Sequence, residues 1–207
     1  RMTSPSIELV DSTIQGFLTD LAAKQPVPGG GAVAGITTAL SAGLGGMVVA
    51  YSVGKSAFKE SESMLRETGA ELAELRSAAL RQGEEDAAAY ARLNALWGLT
   101  KDHPDRTAGW IDAVEGAILA PGAIMRTADR VLELLARLPG RSAKHLASDL
   151  AIGVELAATG ARAAERNVMV NLPLLPEGEI RERHDATFGE IGARVDARAR
   201  EILEQLG

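Results

Sequence analysis

The stretch QPVPGGGAVAGITTALSAGLGGMVVAYSVG, from Gln25 to Gly54, carries no charged residue. It opens on Gln25-Pro26-Val27-Pro28-Gly29-Gly30-Gly31, which cannot be helical by this reading: proline fixes φ and three glycines leave it free. The residues beyond the third glycine predict a helix over about Ala32 to Ser56. Gly35, Gly43, Gly45 and Gly46 give that helix a smooth surface for close helix contact. A bilayer span needs ~20 apolar residues, so the length suffices. The glycines, with Thr37, Thr38, Ser41 and Ser52, lower its hydropathy below that of a Leu/Ile-rich span. A buried central helix is therefore the expectation, with no membrane partner.

Working outward, no stretch sustains a period of two, and helical spacing dominates. A first helix is expected over about Thr13 to Ala23, with Ser12 as N-cap, Gln15 reaching back, and Ile14, Phe17, Leu18 and Leu21 on its inner face. A long helix over about Lys59 to Gly98 turns Met64, Leu65, Leu72, Leu75, Leu80, Tyr90, Leu93 and Trp97 inward. The next starts at Pro104, is kinked or interrupted at Pro121-Gly122, and ends near Leu138. Two more run from about Ser142 to Leu172 and Glu179 to Leu206. The fold class is all-α: a single-domain bundle of about six helices over residues 1–207, several of them long. The uncharged, glycine-rich surface points to a homodimer.

Composition narrows the function classes. Aromatic residues make up 3% of 207, so the core must be built from Ala, Leu, Val and Ile. The net charge of −6 comes with no basic patch, which argues against a nucleic-acid partner. There is no cysteine, hence no disulfide framework and no thiolate metal site. His103, His145 and His184 are scattered and read as surface residues, so no metal is expected. Arg1 to Asp11 lacks a signal-peptide core, and a cytoplasmic location is the expectation.

The segment Phe17-Leu18-Thr19-Asp20-Leu21-Ala22-Ala23-Lys24, followed by Pro26-Val27-Pro28-Gly29-Gly30-Gly31, resembles the start of the cyclodeaminase/cyclohydrolase family. Val53-Gly54-Lys55, Asp86 to Tyr90, Ser148-Asp149 and Asn167-Val168-Met169-Val170-Asn171-Leu172 extend the resemblance over nearly the whole chain in the same order. That family includes the C-terminal domain of formiminotransferase-cyclodeaminase and free-standing methenyltetrahydrofolate cyclohydrolases. The resemblance implies an all-α homodimer that takes a tetrahydrofolate derivative as substrate, with no permanently bound cofactor and no metal. One departure bears on substrate preference. Many members carry a lysine run ending in tyrosine after Gly-Lys, where this chain reads Gly54-Lys55-Ser56-Ala57-Phe58. A non-catalytic binding or scaffold dimer of the same fold is the alternative it keeps open.

Opening a methenyl bridge with water needs a base for the water and a proton donor for the departing nitrogen. Cyclodeamination, which closes the ring and releases ammonia, needs the same two services. Three residues are read as catalytic. Asp149 lies in an apolar stretch and, with Ser142 as the N-cap, falls inside its helix without a capping role. Asp86 stands one turn from Tyr90, although it follows Glu84 and Glu85 and also fits a solvated face. Lys55 is a partner for an anion or a proton donor, or else a lysine closing the central helix against its dipole. Pro28, Gly29, Gly30 and Gly31 are read as a substrate-binding cradle at a helix N-terminus, the alternative being a plain turn. Tyr90, Asn167 and Asn171 complete the substrate-binding set, the two amides suiting a pterin edge. Asp149 and Asn167, eighteen residues apart, sit roughly 27 Å from each other along a straight helix, so they cannot share one reacting centre in one chain.

Overall fold

The computed structural model describes residues 9–207. The stretch 1–8, most of the segment read as lacking a signal core, lies outside the described residues. Six α-helices occur in the order α1 (Ile14–Leu21), α2 (Gly30–Ala50), α3 (Glu62–Trp97), α4 (Pro104–Leu135), α5 (Ala147–Asn171) and α6 (Glu179–Leu206). Short 3₁₀ turns at Ser56–Ser61, Lys144–Leu146 and Leu172–Leu174 link them, and no strand occurs among the described residues.

α2 lies between α3 and α5, with α4 behind it and α6 packed on α4 and α5. The glycines explain the closeness. A Cβ on Gly35 would stand 2.6 Å from the Ala79 carbonyl of α3, and one on Gly160 would stand 2.4 Å from Thr38 Oγ1. Ser41 Oγ donates to the Gly153 carbonyl at 2.6 Å, a direct bond from the centre of α2 to α5. α3 and α5 both run antiparallel to α2: Asp86 and Asn167 lie at its start, Val49 meets Gly69 near its end, and Ser52 Oγ accepts from Ala143 N. By length and composition α2 and α4 both meet the requirement for crossing a membrane, and more than half of the apolar window in α2 is buried in the bundle.

The core is aliphatic, as the composition requires. Ile118, Ile124, Met125, Leu132, Leu134 and Leu135 of α4 are fully buried, with Leu65, Leu72 and Leu93 of α3 and Phe188 of α6 around them. Phe188 fills the notch left by Gly122. Asp129 of α4 is 7% exposed and is held by Arg194 at 2.7 Å and by Arg198. A buried carboxylate left without such partners is costly.

Several sequence expectations need correction. Thr13 caps α1, accepting from Gly16 N, in place of Ser12. No residue of α1 is buried, and its expected inner face shows Ile14 and Leu18 to solvent. α2 starts at Gly30 and ends at Ala50, so two of the loop glycines form its first turn. There the Asp86 carboxylate leaves no room for a Cβ at Gly31. Gly54, with φ of 76°, turns the chain out of α2 and donates its N–H to Glu62 Oε2. Lys55 therefore caps a 3₁₀ turn and does not close α2. α4 runs through Pro121 without interruption. Ser142 does not cap α5: its Oγ donates to the Leu138 carbonyl, and α5 begins five residues later. Tyr90 and Trp97 are exposed rather than inward. His184 is not a surface residue, for its ring stacks on Phe188 and lies 3.4 Å from Glu115.

Gly35→Ala should lower stability by ~1–3 kcal/mol, because a backbone carbonyl must move to admit the methyl group. Gly189→Ala, on the exposed side of α6 with nothing near the added carbon, should raise it by ~0.5–1 kcal/mol. Urea unfolding of both variants checks the pair.

Candidate active site

The glycine loop, α3, α4 and α5 enclose a cavity of about 260 Å³. Its wall comprises Gly29, Gly30 and Gly31 from the loop and α2, Asp86 and Tyr90 from α3, and Asn167 and Asn171 from α5. Residues far apart in sequence meet here because α3 and α5 both end their antiparallel run beside the start of α2.

The loop delivers donors that no intrahelical carbonyl takes. Gly29 is the N-cap of α2, with extended backbone and no side-chain cap. The first intrahelical bond runs from Val33 N to the Gly29 carbonyl. The amides of Gly30, Gly31 and Ala32 are left without an intrahelical acceptor, at the positive end of the helix dipole. Backbone donors aimed this way suit a carbonyl oxygen or an anion.

Asp86 lies against that helix start. A Cβ on Gly31 would fall 1.8 Å from its Oδ2, so the carboxylate occupies the space that any other residue's side chain would take. Burial pushes its pKa up to about 6 from the ordinary 3.8, and no cation or hydrogen-bond donor among the described residues offsets that cost. Tyr90, one turn on, is 42% exposed and stands at the mouth, with Pro26 and the exposed Val170 also on the rim. Gly30 lies next to Asn167, whose Oδ1 would be 3.3 Å from an added Cβ. Asn171 Nδ2 donates to the Ala117 carbonyl of α4 at 2.9 Å. Donors, a carboxylate near neutrality and two amides thus face one small volume. That set can hold a polar heterocycle and move a proton on it.

Of the residues singled out in the sequence, the cavity gathers Gly29, Gly30, Gly31, Asp86, Tyr90, Asn167 and Asn171. Pro28 is buried behind the loop and joined to Val27 by a cis peptide bond. Lys55 and Asp149 lie elsewhere. Lys55 is exposed beyond the far end of α2, ~30 Å from Gly30 along the helix. Asp149 falls in the first turn of α5, where a carboxylate complements the dipole, and not in the helix interior. Sequence reading missed Pro26, Val27, Ala87, Ala117 and Val170. Ala117 contributes through its backbone carbonyl, which no side-chain pattern announces. Among the described residues no group of three or more His, Asp or Glu side chains is arranged to hold a metal ion.

Comparison with known proteins adds four findings. The model of the formiminotransferase-cyclodeaminase family matches residues 13–190. The methenyltetrahydrofolate cyclohydrolase of Methylorubrum extorquens is 30% identical over 191 residues, which cover 88% of this chain and 92% of that protein. The formimidoyltransferase-cyclodeaminase of Mus musculus is 26% identical over 99% of this chain, which spans 38% of the mouse protein. The crystal structure of formiminotetrahydrofolate cyclodeaminase from Thermotoga maritima superposes with a TM-score of 0.90 over 96% of this chain and 98% of that one. At 20% identity that likeness establishes the fold.

A raised carboxylate pKa has a stability signature. The folded state favours protonated Asp86, so its stability contribution is intact below pH 3.8 and is lost as pH rises through about 6. Asp86→Asn should therefore be more stable than the wild type by ~1–3 kcal/mol above pH 6. The gain should shrink between pH 6 and 4. Thermal unfolding at pH 4 and pH 8 checks this.

Proposed function

Since the chain belongs to the formiminotransferase-cyclodeaminase family, we propose that it is a folate-dependent enzyme, a methenyltetrahydrofolate cyclohydrolase. In this reading it hydrolyses 5,10-methenyltetrahydrofolate to 10-formyltetrahydrofolate in one-carbon metabolism. The observation that carries the reading is the desolvated carboxylate of Asp86, held against the amide-rich start of α2 inside a cavity that also holds both asparagines. The higher identity with the Methylorubrum cyclohydrolase, 30% against 26% with the mouse bifunctional protein and 20% with the Thermotoga cyclodeaminase, favours hydrolysis over cyclodeamination. A formiminotetrahydrofolate cyclodeaminase that releases ammonia is the second reading, supported by the family match.

The chemistry comes from the charges. The substrate's bridge is an amidinium-like cation, and ionised Asp86 attracts it in a site poor in water. Asp86 takes a proton from the attacking water as oxygen bonds to the bridge carbon. The resulting tetrahedral centre collapses by breaking its bond to N5, and Asp86 returns the proton to that nitrogen. The remaining hydroxyl proton leaves as the formyl C=O forms. Amides at the start of α2 stabilise polar edges of the ligand, and Asn167 and Asn171 orient the pterin. Tyr90 and Val170 at the mouth offer an apolar rim for the part of folate that a 260 Å³ cavity cannot hold. The setting we propose is cytoplasmic, with neither nucleic acid nor membrane as a partner.

The partner we propose is a second copy. The outward side of α2 is a charge-free stripe of Val33, Ile36, Leu40, Leu44 and Met47, with Leu40 56% exposed. Leu40 stands midway between Gly30 and Ala50. A two-fold axis there sets the two α2 helices antiparallel, with opposed dipoles. Positions whose numbers add to about 80 then face one another. Lys55 of one protomer approaches the loop at Pro26 of the other, so its positive charge meets the end that carries Asp86. Asp149 shares the Lys55 end. Both could then serve the site from across the interface, which a role within one chain does not allow.

Purified protein should speed the decay of methenyltetrahydrofolate absorbance, and Asp86→Asn should slow it by at least ~10²-fold, the scale of a lost general base. Activity should rise with pH through about 6 and level off above, since the ionised carboxylate is the working form. No acceleration by wild type would sink the cyclohydrolase reading, and ammonia release from the formimino substrate would then test the second. The chain has no cysteine, so disulfide trapping reads the dimer directly. Mixed Val33→Cys and Met47→Cys proteins should cross-link, while Val33→Cys alone should not; cross-linking of Val33→Cys alone would mean a parallel arrangement.

A further inference from the structure

Pro121 lies inside α4, four residues after Ala117. Proline has no N–H, so the Ala117 carbonyl lacks its usual acceptance from the amide one turn on. Asn171 Nδ2 donates to that same carbonyl at 2.9 Å, from the last residue of α5. A carbonyl only accepts, so the end of the amide that faces it must be the nitrogen. Asn171 Oδ1 is then left without a donor among the described residues, and both Ala117 and Asn171 line the cavity.

We infer that Pro121 is a positioning residue for the site. By withdrawing one rung from the α4 ladder it frees the Ala117 carbonyl, which anchors Asn171 and fixes Oδ1 as the end offered to ligand. An unanchored asparagine presents either end; this one is committed to accepting. With Nδ2 bound and Oδ1 offered, it makes the α5 wall a reader of an N–H or amino group. The start of α2 supplies the donors. The ligand edge this fits is a heterocycle with an amino or ring N–H group beside a carbonyl oxygen. Pro121 itself is buried and touches none of the reacting atoms, so it acts only through Asn171.

The identity of the ligand rests on the folate reading; the link from Pro121 to Asn171 does not. Pro121→Ala restores a helix amide that competes for the Ala117 carbonyl. It should raise KM for methenyltetrahydrofolate about tenfold, the scale of one hydrogen bond, and leave kcat within about twofold. Asn171→Leu should raise KM by a similar factor, and the double variant should be no worse than Asn171→Leu alone. A proline that merely shaped the helix would change stability and leave KM unmoved. The side-chain amide signals of Asn171 in a ¹⁵N-correlated spectrum, assigned by their disappearance in Asn171→Leu, should shift in Pro121→Ala. If wild type does not turn over the folate, the functional reading fails by itself and that spectrum still decides the role of Pro121. An unchanged KM, an additive double variant, or unmoved Asn171 signals would overturn the proposal.

Discussion

Everything around the site depends on the contact between Gly31 and Asp86. The carboxylate rests where a side chain at position 31 would be, and that lets α3 carry a charge up to the very start of α2. With any Cβ there, the two helices part or the carboxylate swings away. The same absence of side chains recurs along α2: Gly35 against the Ala79 carbonyl, Gly45 against Leu72 and Leu135. α5 meets α2 through its own Gly160 and Gly153. Close packing of backbones replaces the bulky interdigitation that a chain with 3% aromatic residues cannot supply.

That packing explains how a costly group is kept. Asp86 is withdrawn from water and has no cation beside it among the described residues, which works against the fold at neutral pH. Asp129 shows the contrary solution in the same molecule, a buried carboxylate paired with two arginines. One site neutralises its charge and serves structure. The other is left uncompensated by the described residues of its own chain, in a cavity, at a pKa where the proton can come and go. Unpaired burial is what a proton-transfer group needs and what a structural group avoids.

Much of the fold was legible in the sequence because helical periodicity is local. The charge-free run from Gln25 to Gly54 marked the central helix, and Pro104 and Gly178 sit where α4 and α6 begin. Errors clustered where tertiary contacts override propensity. Gly30 and Gly31 looked too flexible for a helix, yet they start one, because the Asp86 carboxylate fills the room beside Gly31. Ile14 and Leu18 are spaced for burial, but no described element covers them. For the site, the pairing of Asn167 with Asn171 followed from their one-turn spacing, and that of Asp86 with Tyr90 likewise. Asp149 stands in a first turn and not in a helix interior because its helix starts five residues after the expected cap, with the 3₁₀ turn at Lys144–Leu146 between them. Which of two distant carboxylates meets the glycine loop depends on helix direction in space, and spacing along the chain is silent on it.

Asp86 and Asn167 reach the cavity from within their helices, but two of its other polar features share one origin: each lies where a helix hydrogen-bond ladder is broken. At the start of α2 the breach exposes donors, since the first amides have no carbonyl behind them. At Pro121 it exposes an acceptor in the middle of α4, since one amide is missing altogether. The first breach can meet a ligand directly. The second is occupied by Asn171, which carries its consequence into the cavity with the polarity kept, a bound carbonyl replaced by an offered one. A bundle with only three histidines and no cysteine therefore builds much of its recognition from the backbone. This is also why a sequence scanned for reactive side chains shows the carboxylate and the amides but not what orients them.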